Sequence, residues 1–273
     1  MTDELVSGLM VLTPSESKRL IAKAVVQLPE VQNAFKKGRI IIANGTTNAF
    51  VVEELLGIRI AKKAAYTRGH IIDGAFASNR RSPELIRSYA IVDGKPVDTM
   101  PADVLQEFTG DDVFIKGANA VDMEGNIGIL MGGRLGGTIG SALAIVTSTG
   151  SHLICPVGLE KLVPSVLEAA QICGIDRLKY PKGVTLGLMP VTTALTITEI
   201  EALFILAGVE ATHVASGGIG GSEGAVALVV EGSEEEVAKA FEIVGGVKGE
   251  PAVSHPGEMS SKYTEKNPTG SRT

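Results

Sequence analysis

Arg39-Ile40-Ile41-Ile42-Ala43 is apolar on both faces of an extended chain and is bounded by Gly38 and by Asn44-Gly45. A strand with one wet face would alternate polar and apolar residues. This run needs cover above and below, as in a parallel sheet with helices on both sides. A turn of small residues, Asn44-Gly45-Thr46-Thr47-Asn48, follows it and opens a helical pattern from Ala49 to Leu56. Strand, short turn and helix make the repeating unit of an α/β fold. Open sheets of this kind bind ligands at the carboxyl ends of their strands.

The unit recurs. Asp112–Lys116 reads as a strand, with Gly117-Ala118-Asn119-Ala120-Val121-Asp122 after it and a turn at Glu124-Gly125-Asn126. The apolar run Ile127–Met131 leads into Gly132-Gly133-Arg134-Leu135-Gly136-Gly137-Thr138, which opens a helix of small and aliphatic residues to about Thr147. His152–Val157 is a further strand, followed by a helix carrying Leu162, Val166, Leu167 and Ala170. Thr13-Pro14-Ser15-Glu16 has the residues of a capping box and predicts a helix to about Leu28. Between Tyr66 and Phe108 the chain is polar. It reads as an insertion or edge hairpin, turning at Asp93-Gly94, with a helix near Pro101–Phe108.

After Pro181 the expected order is strand, helix, strand, strand, helix. The strands fall at Val184–Met189, Val209–Val214 and Ala225–Val230, and caps at Thr196–Glu199 and Ser233–Glu236 start the helices. That order predicts a smaller C-terminal ferredoxin-like α+β domain. The expected organisation is an open, mostly parallel α/β ligand-binding domain over 1–180, the ferredoxin-like domain over 181–255, and a flexible polar tail over 256–273.

Composition narrows the function classes. The chain has 273 residues and is 44% hydrophobic with no Trp, so its core is aliphatic. The net charge of −6 disfavours a nucleic-acid binder. No apolar run is long enough to span a bilayer, and the first residues do not read as a signal peptide. Cys155 and Cys173 make neither a CxxC nor a zinc spacing and read as buried thiols of a reduced, cytoplasmic protein. The four His residues share no ligand spacing, so neither a metal nor a cofactor is expected.

Two turns suit an anion. Asn44–Asn48 places backbone amides at a helix start, where Gly45 permits close approach and Thr46 and Thr47 offer hydroxyls. An ordinary strand–helix turn fits it equally well. The second is the glycine cluster from Gly132 to Gly140, with Arg134 inside it as a bidentate partner. Close helix–strand packing is its alternative. Asp122 and Glu160, each after a strand, are the acid–base candidates. Solvated loop acids would look the same.

Taken together, Val113–Asp122, Gly125, Gly132-Gly133 with its helix, and the strand His152–Val157 resemble the core of the superfamily of ribose-5-phosphate isomerase, glucosamine-6-phosphate deaminase and CoA transferases. Asn44–Thr47 resembles its first phosphate-binding turn, and Gly117–Asp122 is similar to the GAD-type motif of methylthioribose-1-phosphate isomerase. The resemblance spans roughly residues 15–175. It implies a ligand site formed by Gly45, Thr46, Thr47, Gly117, Asn119, Gly132, Gly133, Arg134, Gly137 and Thr138. It also implies a small anionic metabolite, phosphorylated, nucleotide-like or CoA-type, in a homo-oligomer. The isomerase's acidic motif is altered: Lys116 and Asn119 stand at two matching positions and Ala120 replaces its glutamate. The expectation is therefore an anion-binding protein, an isomerase or transferase with changed acid–base residues. The alternative is a non-catalytic metabolite sensor or assembly subunit on the same scaffold.

Overall fold

A computed structural model describes residues 5–78 and 83–253. The first half of the chain runs β1 (Val6–Leu12), α1 (Pro14–Val25), α2 (Pro29–Lys37), β2 (Arg39–Ile42) and α3 (Thr46–Leu56). Next come β3 (Gly69–Ile72), β4 (Ala75–Ser78), β5 (Tyr89–Val92), β6 (Lys95–Val97) and α4 (Pro101–Gln106). The middle comprises β7 (Val113–Ile115), β8 (Ala120–Val121), β9 (Ile127–Met131), α5 (Gly137–Thr149), β10 (His152–Pro156) and α6 (Val166–Ile172). The last elements are β11 (Gly187–Val191), β12 (Leu195–Ile197), α7 (Glu199–Ala207), β13 (Glu210–Ser216), β14 (Val226–Gly232) and α8 (Glu234–Gly245).

The central sheet has the order β12-β10-β7-β2-β5-β6. Its first four strands are parallel, and β5 and β6 close one edge as an antiparallel hairpin. The double-sided burial expected of Arg39–Ala43 is present: Ile40, Ile41, Ile42 and Ala43 are all buried. Ile40 and Ile42 face one core with Leu20, Ile21 and Phe50, whereas Ile41 faces a second with Phe114, Leu153 and Ile139. The turn at Asp93-Gly94 takes positive φ at both residues, as a tight hairpin requires.

The expected ferredoxin-like unit over 181–255 is not what its strands form. β11 pairs with β9 in a sheet of order β11-β9-β8, and β12 completes the central sheet beside β10. β13 and β14 assemble with β1, the strand that precedes Thr13, in the order β1-β14-β13. The reason lies in β1, whose alternate burial is hidden in the sequence because its outward residues Leu9 and Val11 are apolar like the inward Met10 and Leu12. Gly8 accommodates α8: a Cβ there would stand 2.3 Å from a ring carbon of Phe241. Nor does residue 180 separate two cores. One cluster joins Met10, Leu20 and Ile42 to Leu203, Leu228 and Val247. The expected tail, 256–273, lies outside the described residues, as do Arg80 and Arg81 of the polar segment.

Two helix starts lie at their expected caps, Thr13 and Ser233, whereas the cap expected at Thr196–Glu199 falls two residues later, because Thr196 and Ile197 belong to β12. Thr13 and Glu16, Thr198 and Glu201, and Ser233 and Glu236 each form the reciprocal pair expected of a capping box. No helix among the described residues is long and apolar enough to cross a membrane.

A core shared across residue 180 predicts one cooperative unfolding transition in urea, with far-UV circular dichroism and tyrosine fluorescence superimposable. Leu12→Ala, at a fully buried position, is expected to lower the unfolding free energy by about 2–5 kcal/mol without splitting that transition. Two separated transitions would restore the two-domain reading.

Candidate functional site

The parallel strands β2, β7 and β10 end side by side, and the segments leaving them form the floor of a cleft of about 1710 Å³. Asn44–Thr47 leave β2, Lys116–Asn119 leave β7, and Glu160-Lys161 follow β10. All ten ligand-site residues expected from sequence line this one cleft: Gly45, Thr46, Thr47, Gly117, Asn119, Gly132, Gly133, Arg134, Gly137 and Thr138.

At the β2 end, Asn44 is a strut. Its amide donates to Ile86 O at 2.8 Å, and its carbonyl accepts from Ser88 Oγ at 2.9 Å and Arg68 Nε at 3.1 Å. Gly45 N donates to Tyr66 O at 2.8 Å. No side chain caps α3, and the first amide to bond back along the helix is Ala49 N, to Gly45 O at 3.0 Å. The amides of Thr46, Thr47 and Asn48 are therefore the helix's orphan donors at the positive end of its dipole, and of these residues Thr46 and Thr47 line the cleft. Asn48 is completely buried beneath them. Its amide nitrogen bridges the ends of β2 and β7, donating to Ala43 O at 2.6 Å and Ile115 O at 3.3 Å. Its Oδ1 has no protein partner, and a Cβ on Gly117 would stand 3.7 Å from it.

The β7 and β10 ends supply cations. Lys116 Nζ donates to Gly117 O at 3.1 Å, and Lys161 Nζ donates to Ala118 O at 3.2 Å. Both side chains are half-buried, and among the described residues neither has a carboxylate within ion-pair reach. Burial pushes the Lys116 ammonium below the ordinary lysine range. For Lys161, burial together with the charges of Lys18 and Lys116 lowers the pKa to about 8, against a weaker opposing pull from Glu160 and Glu199. The buried Lys18 is neutralised by Glu160, at 2.7 Å. Below the 159–161 turn, Glu199 is fully buried. Its carboxylate accepts from Leu159 N at 2.9 Å, and burial holds its pKa above the usual range. Cys155 is also buried, and the low polarity around its thiol raises its pKa to about 12.

Of the two acid–base candidates, Glu160 lines the cleft and Asp122 does not. The Asp122 carboxylate is consumed by its own turn. It accepts from Glu124 N at 3.1 Å, Asn126 N at 3.0 Å, Asn126 Nδ2 at 3.1 Å and Val166 N at 3.0 Å. These donors hold its pKa below the usual carboxylate range despite burial. A strand-end acid becomes structural when the next turn folds back on it, and the sequence of that turn, Glu124-Gly125-Asn126, carried the cue.

Arg134 lines the mouth of the cleft but is already paired, to Asp176 at 3.0 Å, with both side chains exposed. The glycines beside it have local reasons of their own. Gly136 and Gly137 adopt positive φ, and a Cβ on Gly140 would lie 2.0 Å from Leu135 O. Asn119 uses its side-chain oxygen to accept from Leu130 N at 3.0 Å. Lys116 and Asn48 were given no ligand role by the sequence, and Lys161, expected with Glu160 either to face the cleft or to form an ordinary surface pair, lines the cleft. Their signal was position: each lysine stands just beyond an apolar strand, where a surface lysine and a cleft lysine look alike.

Asp122→Ala is expected to cost about 2–4 kcal/mol in urea unfolding, because it strands several buried donors. A lysine whose folded pKa is depressed destabilises the fold while charged. That penalty is full below about pH 8 and fades as pH rises through the ordinary lysine value. Lys161→Met should therefore be more stable than the parent at pH 7, on the order of 1–2 kcal/mol after solvent screening, and the gap should close by pH 10.5. An equal gap at both pH values would show that Lys161 is not perturbed.

Scans against protein-family models, curated proteins and solved structures find no match to this chain.

Proposed function

We propose that the cleft binds a small anionic metabolite, phosphorylated or carboxylated, across the orphan amides of α3 and the ammonium groups of Lys116 and Lys161. One observation carries this reading. Two half-buried lysines, without carboxylate partners among the described residues, stand beyond the ends of adjacent parallel strands, beside an uncapped helix start. Burying a cation without a counter-charge is costly, and a bound anion removes that cost. The amides of Thr46 and Thr47 add donors fixed by the backbone, which need no reorganisation when the anion arrives. The resemblance noted in the sequence places its phosphate turn at these same residues and supports the same location.

Gly117 lines the cleft without a side chain, and a Cβ there would be in van der Waals contact with the unpartnered Oδ1 of Asn48. Glu160 is paired with Lys18 and offsets the charge of Lys161 only in part. The geometry favours binding through positive charge over general-base catalysis by Asp122, whose lone pairs are already engaged.

Inorganic phosphate and pyrophosphate at millimolar concentration are expected to raise the melting temperature. An anion present at 100 times its Kd would add about 2.7 kcal/mol. Lys116→Met and Lys161→Met should each abolish most of the shift, whereas Arg134→Met should leave most of it. A shift that persists in the Lys116→Met/Lys161→Met double variant would place anion binding elsewhere.

A further inference from the structure

The charge arrangement around Lys161 does more than attract an anion. Among the described residues its Nζ makes one hydrogen bond, at 3.2 Å to Ala118 O, and no carboxylate forms an ion pair with it. Lys18 reaches it from α1 and Lys116 from the end of β7, both as cations, while Glu160 beside it and Glu199 beneath the turn are its acidic neighbours. Glu160 is committed to Lys18 at 2.7 Å and Glu199 to Leu159 N at 2.9 Å. The amine therefore lies half-buried in a ligand-sized cleft, with two lysines and two glutamates as its charged neighbours and with hydrogens to spare. A lysine set among other cations and partly desolvated is an activated nucleophile toward carbonyl compounds.

We infer that Lys161 is a covalent catalytic residue, whose Nζ condenses with the carbonyl carbon of an anionic aldehyde or ketone held by Lys116 and the α3 amides. The inference rests on the anion-binding reading of the same cleft.

The step balances without a co-reactant. The nitrogen lone pair attacks the carbonyl carbon, and the π pair moves to oxygen, giving a carbinolamine. The two hydrogens of the neutral amine pass to that oxygen, which departs as water and leaves the imine. Glu160 is the carboxylate lining the cleft next to Lys161, and it can relay those protons while Lys18 holds it in place. The ordinary lysine ammonium is almost wholly protonated at neutral pH, so a pKa of about 8 supplies the unprotonated amine that the attack needs.

The test is reductive trapping. The full chain is incubated at pH 7.5 with pyruvate, glycolaldehyde phosphate or the uncharged acetone, each with sodium cyanoborohydride, and the modified lysine is located by peptide mass spectrometry. The expected result is a single predominant adduct on Lys161. An anionic carbonyl should give at least tenfold more of it than acetone at equal concentration, and excess inorganic phosphate should suppress it. Lys161→Arg should keep the phosphate-induced melting shift and lose the adduct. If that variant does not fold, phosphate protection of the parent still decides the matter. Adducts scattered over surface lysines, or equal labelling by acetone, overturn the inference, and if the phosphate melting shift survives they leave the anion site standing. Absence of both the shift and the adduct removes the two together.

Discussion

Burial of the parallel strands on both faces is the constraint on which the rest of the structure depends. Ile40, Ile41, Ile42, Val113, Phe114 and Ile115 are all buried, so helices must cover the sheet above and below, and those helices seal its faces. Only the strand ends remain open to a ligand. At the carboxyl ends the chain must turn sharply into a helix or a loop, and the turning residues present free amides and charged side chains. The cleft is in this sense a by-product of the sheet's dryness.

The same constraint explains an apparent extravagance at the site. Asn48 is buried to hold the ends of β2 and β7 together, using one end of its amide and leaving the other without a partner. Lys116 and Lys161 are drawn under the surface without acids to match them. Each arrangement costs stability in the empty protein, and a ligand recovers it. Asp112 shows the opposite policy. It is as deeply buried, but Arg39 N at 2.6 Å, Thr109 N at 2.6 Å and Thr109 Oγ1 at 3.1 Å satisfy it, and it serves the fold alone.

Local chemistry was legible in the sequence, and long-range pairing was not. The capping boxes at Thr13 and Ser233, the Asp93-Gly94 turn and the doubly buried run Ile40–Ala43 each depend on residues a few positions apart, and each lies where the sequence predicts it. The cap expected at Thr196–Glu199 begins instead at Thr198, because β12 takes Thr196 and Ile197. The ferredoxin-like unit failed because strand order is set by partners distant in sequence. Nothing within 181–255 says that β12 will join β10, or that β14 will take β1 as a neighbour. The site divided in the same way. Glycines and threonines at strand ends marked the cleft, since small residues there have few other uses. Arg134 and Asp122 were overvalued, because Asp176 and the 124–126 turn had already engaged them. Lys116 and Lys161 were undervalued, because an alphabet of residue types does not record which lysine has lost its solvent.

The pairing of β1 with β14 also governs when the molecule can be finished. Seven residues of β1 register against Val226–Gly232, so a strand that leaves the ribosome early waits for one that leaves late. In the interval its hydrogen-bonding edge has no native partner, and Met10 and Leu12, both buried in the finished core, have nothing of their own sheet to cover them. Contacts of such long sequence separation form slowly and leave sticky intermediates. Until β14 has formed, β1 is thus a site for non-native association.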